Sequence, residues 1–319
     1  MDPQQDEASA YRIQKTIRSS LRFKGTGLHT GSRVQIKLVP APPNHGIVFH
    51  RVDTQPITTI RAHYESVVCT RMATTLGAVN EGKDTRISTV EHLLSALFAL
   101  GITNLLVEVQ GPEIPILDGS AQPFLEALID VGLEAQSFTR SVFKVLRPIR
   151  VYQEGAVCEL LPRNCLRITT SVDFPHPAIG LQTCALDVTP FTFLKEIGAA
   201  RTFGFQSDVE RLKAAGLARG ASLDNVLAFS DKSVLNPEGM RFSDECVRHK
   251  ILDAIGDLAL CGSWIEGELV SFRGGHSVHL ALLKSLKKHP GHWQLLPPEP
   301  SPSLRIAERS TLGQPLYLT

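Results

Sequence analysis

Residues 242–258 read FSDECVRHKILDAIGDL, a stretch that places polar side chains inside a largely apolar run. The apolar residues recur at the spacing of one helical face, which predicts an α-helix over 243–260. At about 100° per residue, Asp253 lies near 40° and Asp257 near 80° from His249, opposite most of the apolar residues. The helix therefore carries a narrow stripe of titratable side chains.

This stripe has two interpretations. The first is an ordinary amphipathic helix whose polar face, with His249 and Asp253, lies in water. The second is a metal site, because an imidazole and a carboxylate four residues apart on a helix can reach one zinc ion. A His/Asp pair is a weaker signal than an HExxH motif, so a metal site needs a third ligand from elsewhere in the chain.

A second apolar helix, predicted in STVEHLLSALFALG (88–101), offers that ligand. Ser88 is predicted as its N-cap with Glu91 three residues later, as in a capping box, and Gly101 is predicted to end it. Glu91 and His92 border a notch of small residues on this helix. Each also has an ordinary explanation, which is the capping box for Glu91 and a satisfied core histidine for His92.

We expect the polar sectors of the two helices to face each other across a crevice between two domains. This arrangement would bring His92, His249 and Asp253 together, with Glu91 beside them. Three protein ligands leave the fourth position of zinc to water, which is typical of a catalytic site and not of a closed structural one.

Length, charge and cysteine usage restrict the class of protein. The 319 residues favour two domains, and 33 basic against 32 acidic residues leave a net charge of +1, which draws the protein neither to nucleic acid nor to an anionic membrane. The six cysteines never form CxxC, and several of them have apolar neighbours, as buried thiols of a reducing compartment do. No apolar run reaches the roughly 18 residues of a membrane span, and no signal core opens the chain. We predict a cytoplasmic protein that does not span the membrane.

The order of the predicted elements divides the chain into two α+β domains. A hairpin around VQIKL opens the first, and strands around VFKVL, VCELLP and LRITTSVDF open the second. The predicted parts are a disordered lead over 1–10, a first domain over 11–134, a linker over 135–141, a second domain over 142–288, and a Pro-rich, loosely held tail over 289–319.

Six blocks resemble, in the same order, the UDP-3-O-acyl-N-acetylglucosamine deacetylases of bacterial lipid A biosynthesis. The resemblance runs from about Ile17 to Lys288 through GTGLHTG (25–31), ISTVEHLLSAL (87–97), GPEIPILDGSAQPF (111–124), ARTFGF (200–205), FSDECVRHKILDAIGDL (242–258) and GGH (274–276). It implies a zinc-dependent amidase with two α+β domains of similar architecture. Each domain would be a sheet packed against a pair of helices, with the active site in the crevice between the domains.

The resemblance also implies the chemistry. The substrate would be an acylated UDP-amino sugar, whose N-acetyl group is hydrolysed to acetate and a free amine. Zn²⁺ would be held by His92, His249 and Asp253, and iron is the alternative metal for this ligand set. Glu91, next in sequence to a ligand, would take the proton of the attacking water as general base.

Three further residues have implied catalytic roles. His276 follows two glycines and would protonate the leaving amine or stabilise charge as imidazolium, and Asp257 would orient His276 and raise its pKa. Thr202 would help to hold the oxyanion. Without the resemblance, Thr202 is an ordinary strand or loop threonine and Asp257 a solvated carboxylate.

Four residues have implied or possible supporting roles. Lys250 matches a substrate-binding lysine near the metal, and Phe203 would contribute to a passage for the acyl chain in the second domain. Phe174 resembles an aromatic residue that lies against the uracil ring. A surface lysine and a core aromatic are the ordinary alternatives. Asp118 is predicted to accept a hydrogen bond from His92, although an Asp-Gly turn explains it as well.

Two other classes of function compete with an enzyme. A structural zinc protein would need four protein ligands and no spare base. A non-catalytic nucleotide-sugar binding protein would use the crevice without a metal. Metal analysis of the purified protein distinguishes the last class from the other two.

Overall fold

The computed structural model describes residues 12–80 and 83–301 of the chain. The predicted lead over 1–10 lies outside the described residues, and so does the end of the predicted tail from residue 302 onward.

The elements of the first half of the described chain are β1 (Ile13–Ile17), β2 (Leu21–Thr26), β3 (Arg33–Pro40), β4 (Ile47–Arg51), β5 (Thr58–Arg61), β6 (Val67–Cys69), β7 (Thr75–Asn80), β8 (Lys83–Ile87), α1 (Glu91–Leu100), β9 (Leu105–Gln110), α2 (Gln122–Val131) and β10 (Leu133–Thr139). They form a five-stranded sheet in the order β2-β3-β9-β4-β5, a three-stranded sheet β6-β7-β8 and the pair β1-β10. In the five-stranded sheet β4 runs parallel to β9 and the other pairs are antiparallel.

The elements of the second half are β11 (Val142–Val145), β12 (Ile149–Gln153), β13 (Ala156–Leu161), β14 (Leu166–Phe174), β15 (Gly180–Asp187), α3 (Pro190–Thr192), β16 (Phe203–Phe205), α4 (Val209–Ala214), β17 (Leu227–Phe229), α5 (Glu245–Ala259), β18 (Trp264–Phe272), α6 (His276–Ser285) and β19 (Trp293–Leu296). The long strand β18 pairs with β11, β13 and β14 in a seven-stranded sheet. A π-helical segment, Phe193–Ile197, follows α3.

These elements confirm the predicted α+β class. The alternation in β3 buries Val34, Ile36 and Leu38 on the core side of the first sheet, as a half-buried strand requires. Helix α1 ends where predicted, at Gly101, whose φ of 74° is the left-handed conformation of a helix C-cap. None of the described helices combines the length and apolarity that a membrane crossing requires.

The two halves meet where α1 packs against α5. Buried side chains such as Leu93 and Leu97 of α1 and Ile251 and Ile255 of α5 belong to one continuous apolar cluster. At the crossing, a Cβ atom on Gly256 would lie 2.2 Å from the carbonyl oxygen of Glu91. Glycine therefore allows the backbones of the two helices to approach this closely.

The predicted capping box at Ser88 is wrong. Helix α1 begins at Glu91, its N-cap is Val90, and no side chain caps it. Ser88 instead forms a β-bridge with Glu113, and its backbone N–H donates to Pro112. Because this backbone is extended alongside another segment, the helix cannot start directly after Ser88.

Two segments predicted to lack regular structure are strands in part. Residues 135–139 of the predicted linker belong to β10, which pairs with β1. The prediction of a loosely held tail is wrong for β19, which pairs with β11 along its whole length. The ring of Trp293 in β19 stacks on Phe143 at 4.8 Å between centroids, so burial of an aromatic side chain holds this strand in place.

Gly256→Ala should destabilise the protein, because the added methyl group meets the Glu91 carbonyl and forces the two helices apart. We expect the free energy of unfolding to fall by about 1–3 kcal/mol, the usual cost of overpacking. Chemical denaturation measures this change. Gly204→Ala is the matched control, since nothing lies within 4 Å of its Cβ position. Equal stability of the two variants would contradict the close crossing.

Candidate active site

A cavity of about 100 Å³ lies between α1, α5 and the start of α6. Side chains from the first and the second half of the chain meet in this cavity although they are far apart in sequence. Its lining includes Glu91, His92, Thr202, Phe203, His249, Lys250, Asp253 and His276 from the predicted set, completed by Leu28, His29, Met72 and Thr89.

The polar stripe of α5 is buried and does not face water. His249 is 2% exposed, Asp253 2% and Asp257 3%. Burying an unpaired charge is costly, so each of these groups must have a compensating partner inside the protein. The explanation of the stripe as a solvated helix face is therefore wrong.

His92, His249 and Asp253 converge on one point. The Nε2 atom of His249 lies 3.4 Å from Oδ1 of Asp253, and Nε2 of His92 lies 3.9 Å from the same oxygen. Ligand atoms held tetrahedrally at ~2.1 Å from a zinc ion are roughly 3.4 Å from one another. These three residues can thus hold a metal ion, and their nitrogen and oxygen donors suit Zn²⁺.

Both imidazoles are neutral, which is the form that binds a metal. Burial, together with the neighbouring His249 ring, lowers the pKa of His92 to about 3. Burial also lowers the pKa of His249. The Nδ1 atom of His249 lies 3.0 Å from the carbonyl oxygen of Ala200, so it donates there and its Nε2 lone pair points at the shared centre.

Asp253 is held as a carboxylate by Lys250. Burial opposes its charge, but the ammonium group of Lys250 and the imidazolium of His276 keep the pKa of Asp253 well below its usual value. Nζ of Lys250 donates to Oδ2 at 2.8 Å, which leaves Oδ1 facing the two histidines. The Lys250 side chain is 22% exposed, so it is largely enclosed and not a free surface lysine.

Glu91 is placed to exchange a proton in this cavity. Its Oε2 accepts from the backbone N–H of Thr74 at 3.1 Å, and its Oε1 lies 3.7 Å from Nε2 of His276. Burial, with the repulsion of Asp253 and Asp257, raises the pKa of Glu91 to about 8 although His276 opposes the shift. A carboxyl group with such a pKa is present in both forms near neutral pH, and its ionised form can accept a proton.

Asp257 is hydrogen-bonded to His276, the pair of side chains that the resemblance implies. Nδ1 of His276 lies 2.8 Å from Oδ2 of Asp257, and Nδ1 of His279 lies 2.8 Å from the same oxygen. The hydroxyl of Thr74 donates to Oδ1 at 2.6 Å. Burial disfavours the imidazolium, but the charges of Asp257 and Asp253 raise the pKa of His276 to about 10. The ring of His276 is therefore a proton donor at neutral pH.

Thr202 is fixed by backbone contacts and by the residue before it. Its N–H donates to the carbonyl of Gly119 at 2.8 Å. Arg201 is only 2% exposed, and its Nε donates to Oε1 of Glu245 at 2.9 Å. Glu245 is the first residue of α5. This buried ion pair joins the segment of Thr202 to the helix that carries His249.

A buried carboxylate fixes the loop beside the cavity. Glu113 is 0% exposed and accepts from the backbone N–H groups of His29 and Thr30, each at 3.0 Å, and from the Thr89 hydroxyl at 2.7 Å. The loop is thereby tied to the segment that precedes α1. Nε2 of His29 is buried and has no hydrogen-bond partner among the described residues.

Three predicted residues do not line the cavity, namely Asp257, which lies behind His276, Asp118 and Phe174. The prediction that Asp118 accepts a hydrogen bond from His92 is wrong, because Asp118 binds the N–H of Ser120 at 3.0 Å and Arg241 at 2.8 Å. Nδ1 of His92 has no hydrogen-bond partner within the described ranges. Phe174 packs edge-on against Phe203 at 5.5 Å between ring centroids and is partly exposed.

Sequence reasoning missed several residues around the site, namely Thr74, Glu113, Arg201, Glu245, Gly256 and His279. One of them had a readable signal, since His279 lies three residues after His276 and so on the same helix face. Thr74 had none, because it is 183 residues away from Asp257 in sequence.

The fold and these side chains define a class of protein. It is an α+β protein whose buried site combines a His/His/Asp donor set, a glutamate outside that set and a His/Asp pair, as in hydrolytic enzymes. A family model described as UDP-3-O-acyl N-acetylglycosamine deacetylase matches residues 14–288. The chain belongs to this family, and the resemblance seen in its sequence is confirmed.

Individual relatives named UDP-3-O-acyl-N-acetylglucosamine deacetylase match most of the chain. The protein of Histophilus somni is 42% identical over 285 residues, which cover 89% of this chain and 92% of the relative. That of Brucella melitensis biotype 2 is 46% identical over 274 residues, 86% of this chain and 94% of the relative. That of Colwellia psychrerythraea is 44% identical over 283 residues, 88% and 92% respectively.

In the metal-free protein, the charged ring of His276 should stabilise the fold in a pH-dependent way. Its pKa is about 10 in the folded protein. In an unfolded chain it is about 6.5. The stabilisation is therefore complete below about pH 6.5 and is lost as the pH rises through about 10.

Asp257→Asn tests this dependence, because a neutral amide no longer attracts the imidazolium. We expect the chelator-treated variant to melt below the parent at about pH 6, and the difference to narrow progressively as the pH approaches about 10. Thermal unfolding followed by circular dichroism measures both proteins. A melting difference that stays constant over this range would show that the pair does not carry the stabilisation.

Proposed function

We propose that this protein is a zinc-dependent amidase that hydrolyses the N-acetyl group of a UDP-3-O-acyl-N-acetylglucosamine, releasing acetate and the free amine, in lipid A biosynthesis. The observation that carries the proposal is the convergence of His92, His249 and Asp253 on one point with Glu91 and His276 beside it. Membership of the deacetylase family and the names of the relatives support the substrate. The proposal keeps the cytoplasmic location expected from the cysteine pattern.

The donor set would hold the metal, and the remaining residues would move protons. When bound, Zn²⁺ supplies a Lewis acid that polarises a carbonyl oxygen and makes water a better nucleophile. Glu91 would take a proton from the water whose oxygen adds to the acetyl carbon. Lys250, paired with Asp253, keeps a positive charge at the cavity wall and would bind the substrate there.

Departure of the amine needs a proton, because an amide nitrogen leaves poorly as an anion. His276 would donate it from Nε2 as the carbon–nitrogen bond breaks, and Asp257 would hold the ring in place through Nδ1. The oxygen of the tetrahedral intermediate carries negative charge, and the hydroxyl of Thr202 would hold it. The 3.7 Å between Nε2 of His276 and Oε1 of Glu91 supports this division of roles, because both side chains reach the same small volume.

The apolar part of the substrate would be bound next to the cavity. The rings of Phe203 and Phe174 are in contact, and Phe205 and Phe229 extend the same aromatic cluster. Phe203 also lines the cavity, so this cluster begins at the reacting groups and continues away from them. We propose that Phe203 borders the passage for the acyl chain and that Phe174 contacts the uracil ring.

Membership of a deacetylase family favours an enzyme over the two alternatives. A non-catalytic nucleotide-sugar binding protein would have no use for a buried donor set. A structural zinc site would need a fourth protein ligand. The described residues contain a second candidate metal group, formed by Glu91, Asp253 and His276. It shares Asp253 with the first group and is therefore not a separate site.

Replacing one of His92, His249 or Asp253 by Ala should lower zinc content and deacetylation together. The parent should contain about one zinc per chain, since three protein ligands complete a catalytic site. Elemental analysis and a deacetylation assay measure both quantities. The control is His292→Ala, which replaces a partly exposed histidine that does not line the cavity. Stoichiometric zinc in all three variants would refute the ligand assignment.

Glu91→Gln should keep zinc but lose turnover, because the amide cannot accept the proton of water. We expect kcat to fall by about 10²-fold or more, the usual contribution of a positioned general base. Glu126→Gln on the exposed side of α2 provides the matched control. Near-parental turnover of Glu91→Gln would remove Glu91 from the proposed chemistry.

A further inference from the structure

His279 is a second imidazole bound to the carboxylate that orients His276. It is 1% exposed, and its Nδ1 lies 2.8 Å from Oδ2 of Asp257. Since Asp257 is ionised and can only accept, Nδ1 of His279 must donate. One carboxylate oxygen therefore receives a hydrogen bond from each of two histidines on α6.

The backbone around α6 is shaped to admit this ring. His276 and His279 are three residues apart and project from the same face of the helix toward α5. A Cβ atom on Gly274 would lie 1.9 Å from Oγ of Ser271 and 3.2 Å from Nε2 of His279. Glycine before the helix thus leaves room for the imidazole behind the cavity wall.

The three donors fix Asp257 from both sides. Thr74 holds Oδ1 at 2.6 Å, and His279 holds Oδ2 at 2.8 Å. The carboxylate plane is then determined even without His276, so the oxygen that His276 needs is already in position. Without His279, only Thr74 and His276 itself would orient the group.

His279 does not line the cavity, so it does not touch the reacting atoms. Any effect on the reaction must pass through Asp257 to His276. We propose that His279 is a positioning residue that presets the Asp257 carboxylate for His276, an inference that rests on the proposed deacetylation. The ordinary alternative is a buried histidine that contributes only to the stability of α6.

Two amide substitutions distinguish these roles. Asn at 279 can place its amide nitrogen near the position of Nδ1, whereas the longer Gln places it beyond. We expect His279→Asn to retain most of the parental kcat. His279→Gln should lower kcat by about 10-fold or more with little change in KM, as the loss of an outer-shell partner commonly does.

Control experiments separate positioning from stability. His289→Gln replaces a histidine just beyond α6 whose Nδ1 lies 2.9 Å from the Ser285 carbonyl, and it should leave kcat unchanged. Thermal unfolding of each variant identifies any general loss of structure. Equal kcat for the Asn and Gln variants at position 279 would overturn the inference.

A double-mutant cycle gives the decisive measurement. If His279 acts only through His276, then His279→Gln should not lower the residual kcat of His276→Ala any further. A reduction of the same factor in both backgrounds would assign His279 to general stability and overturn the inference. A parent protein without deacetylase activity would overturn the proposed function and this inference with it, whereas an active parent isolates the role of His279.

Discussion

The contact between the Glu91 carbonyl and Gly256 is the constraint on which the site depends. Because Gly256 has no side chain, the start of α1 can lie directly on the middle of α5. On α5, Asp253 lies about one turn before Gly256, and Asp257 directly follows Gly256. The same crossing therefore brings Glu91 and His92 against both carboxylates and joins the apolar cores of the two halves.

The close crossing buries several carboxylates together, and neighbouring cations stabilise their charges to different extents. Three buried carboxylates lie near one another, and their desolvation would be costly without cations. Asp253 has Lys250, and Asp257 has His276, so the pKa of each falls. Glu91 shares His276, at 3.7 Å, with Asp257, and burial raises the pKa of Glu91 to about 8. Unequal pairing thus distinguishes a carboxyl group that exchanges protons near neutral pH from two that stay ionised there.

Buried charged side chains outside the cavity hold the surrounding loops through hydrogen bonds and ion pairs. Glu113 ties the loop of His29 to the segment before α1, and Arg201 with Glu245 ties Thr202 to the start of α5. Such groups are expensive to bury and are tolerated when their hydrogen bonds are complete. Their common effect is to fix, by short contacts, chain segments that regular secondary structure does not hold.

The sequence by itself determined the α+β class, the two apolar helices, the grouping of His249, Asp253 and Asp257 on one face, and the family, because these follow from periodicity, spacing and short motifs. Only the tertiary structure decided that the stripe is buried, that α1 begins at Glu91 and not after Ser88, and that Asp118 binds Arg241. It also brought Thr74 to Asp257 across 183 residues. Local patterns record which face of a helix is polar, but what lies against that face depends on contacts between distant segments, which no local pattern contains.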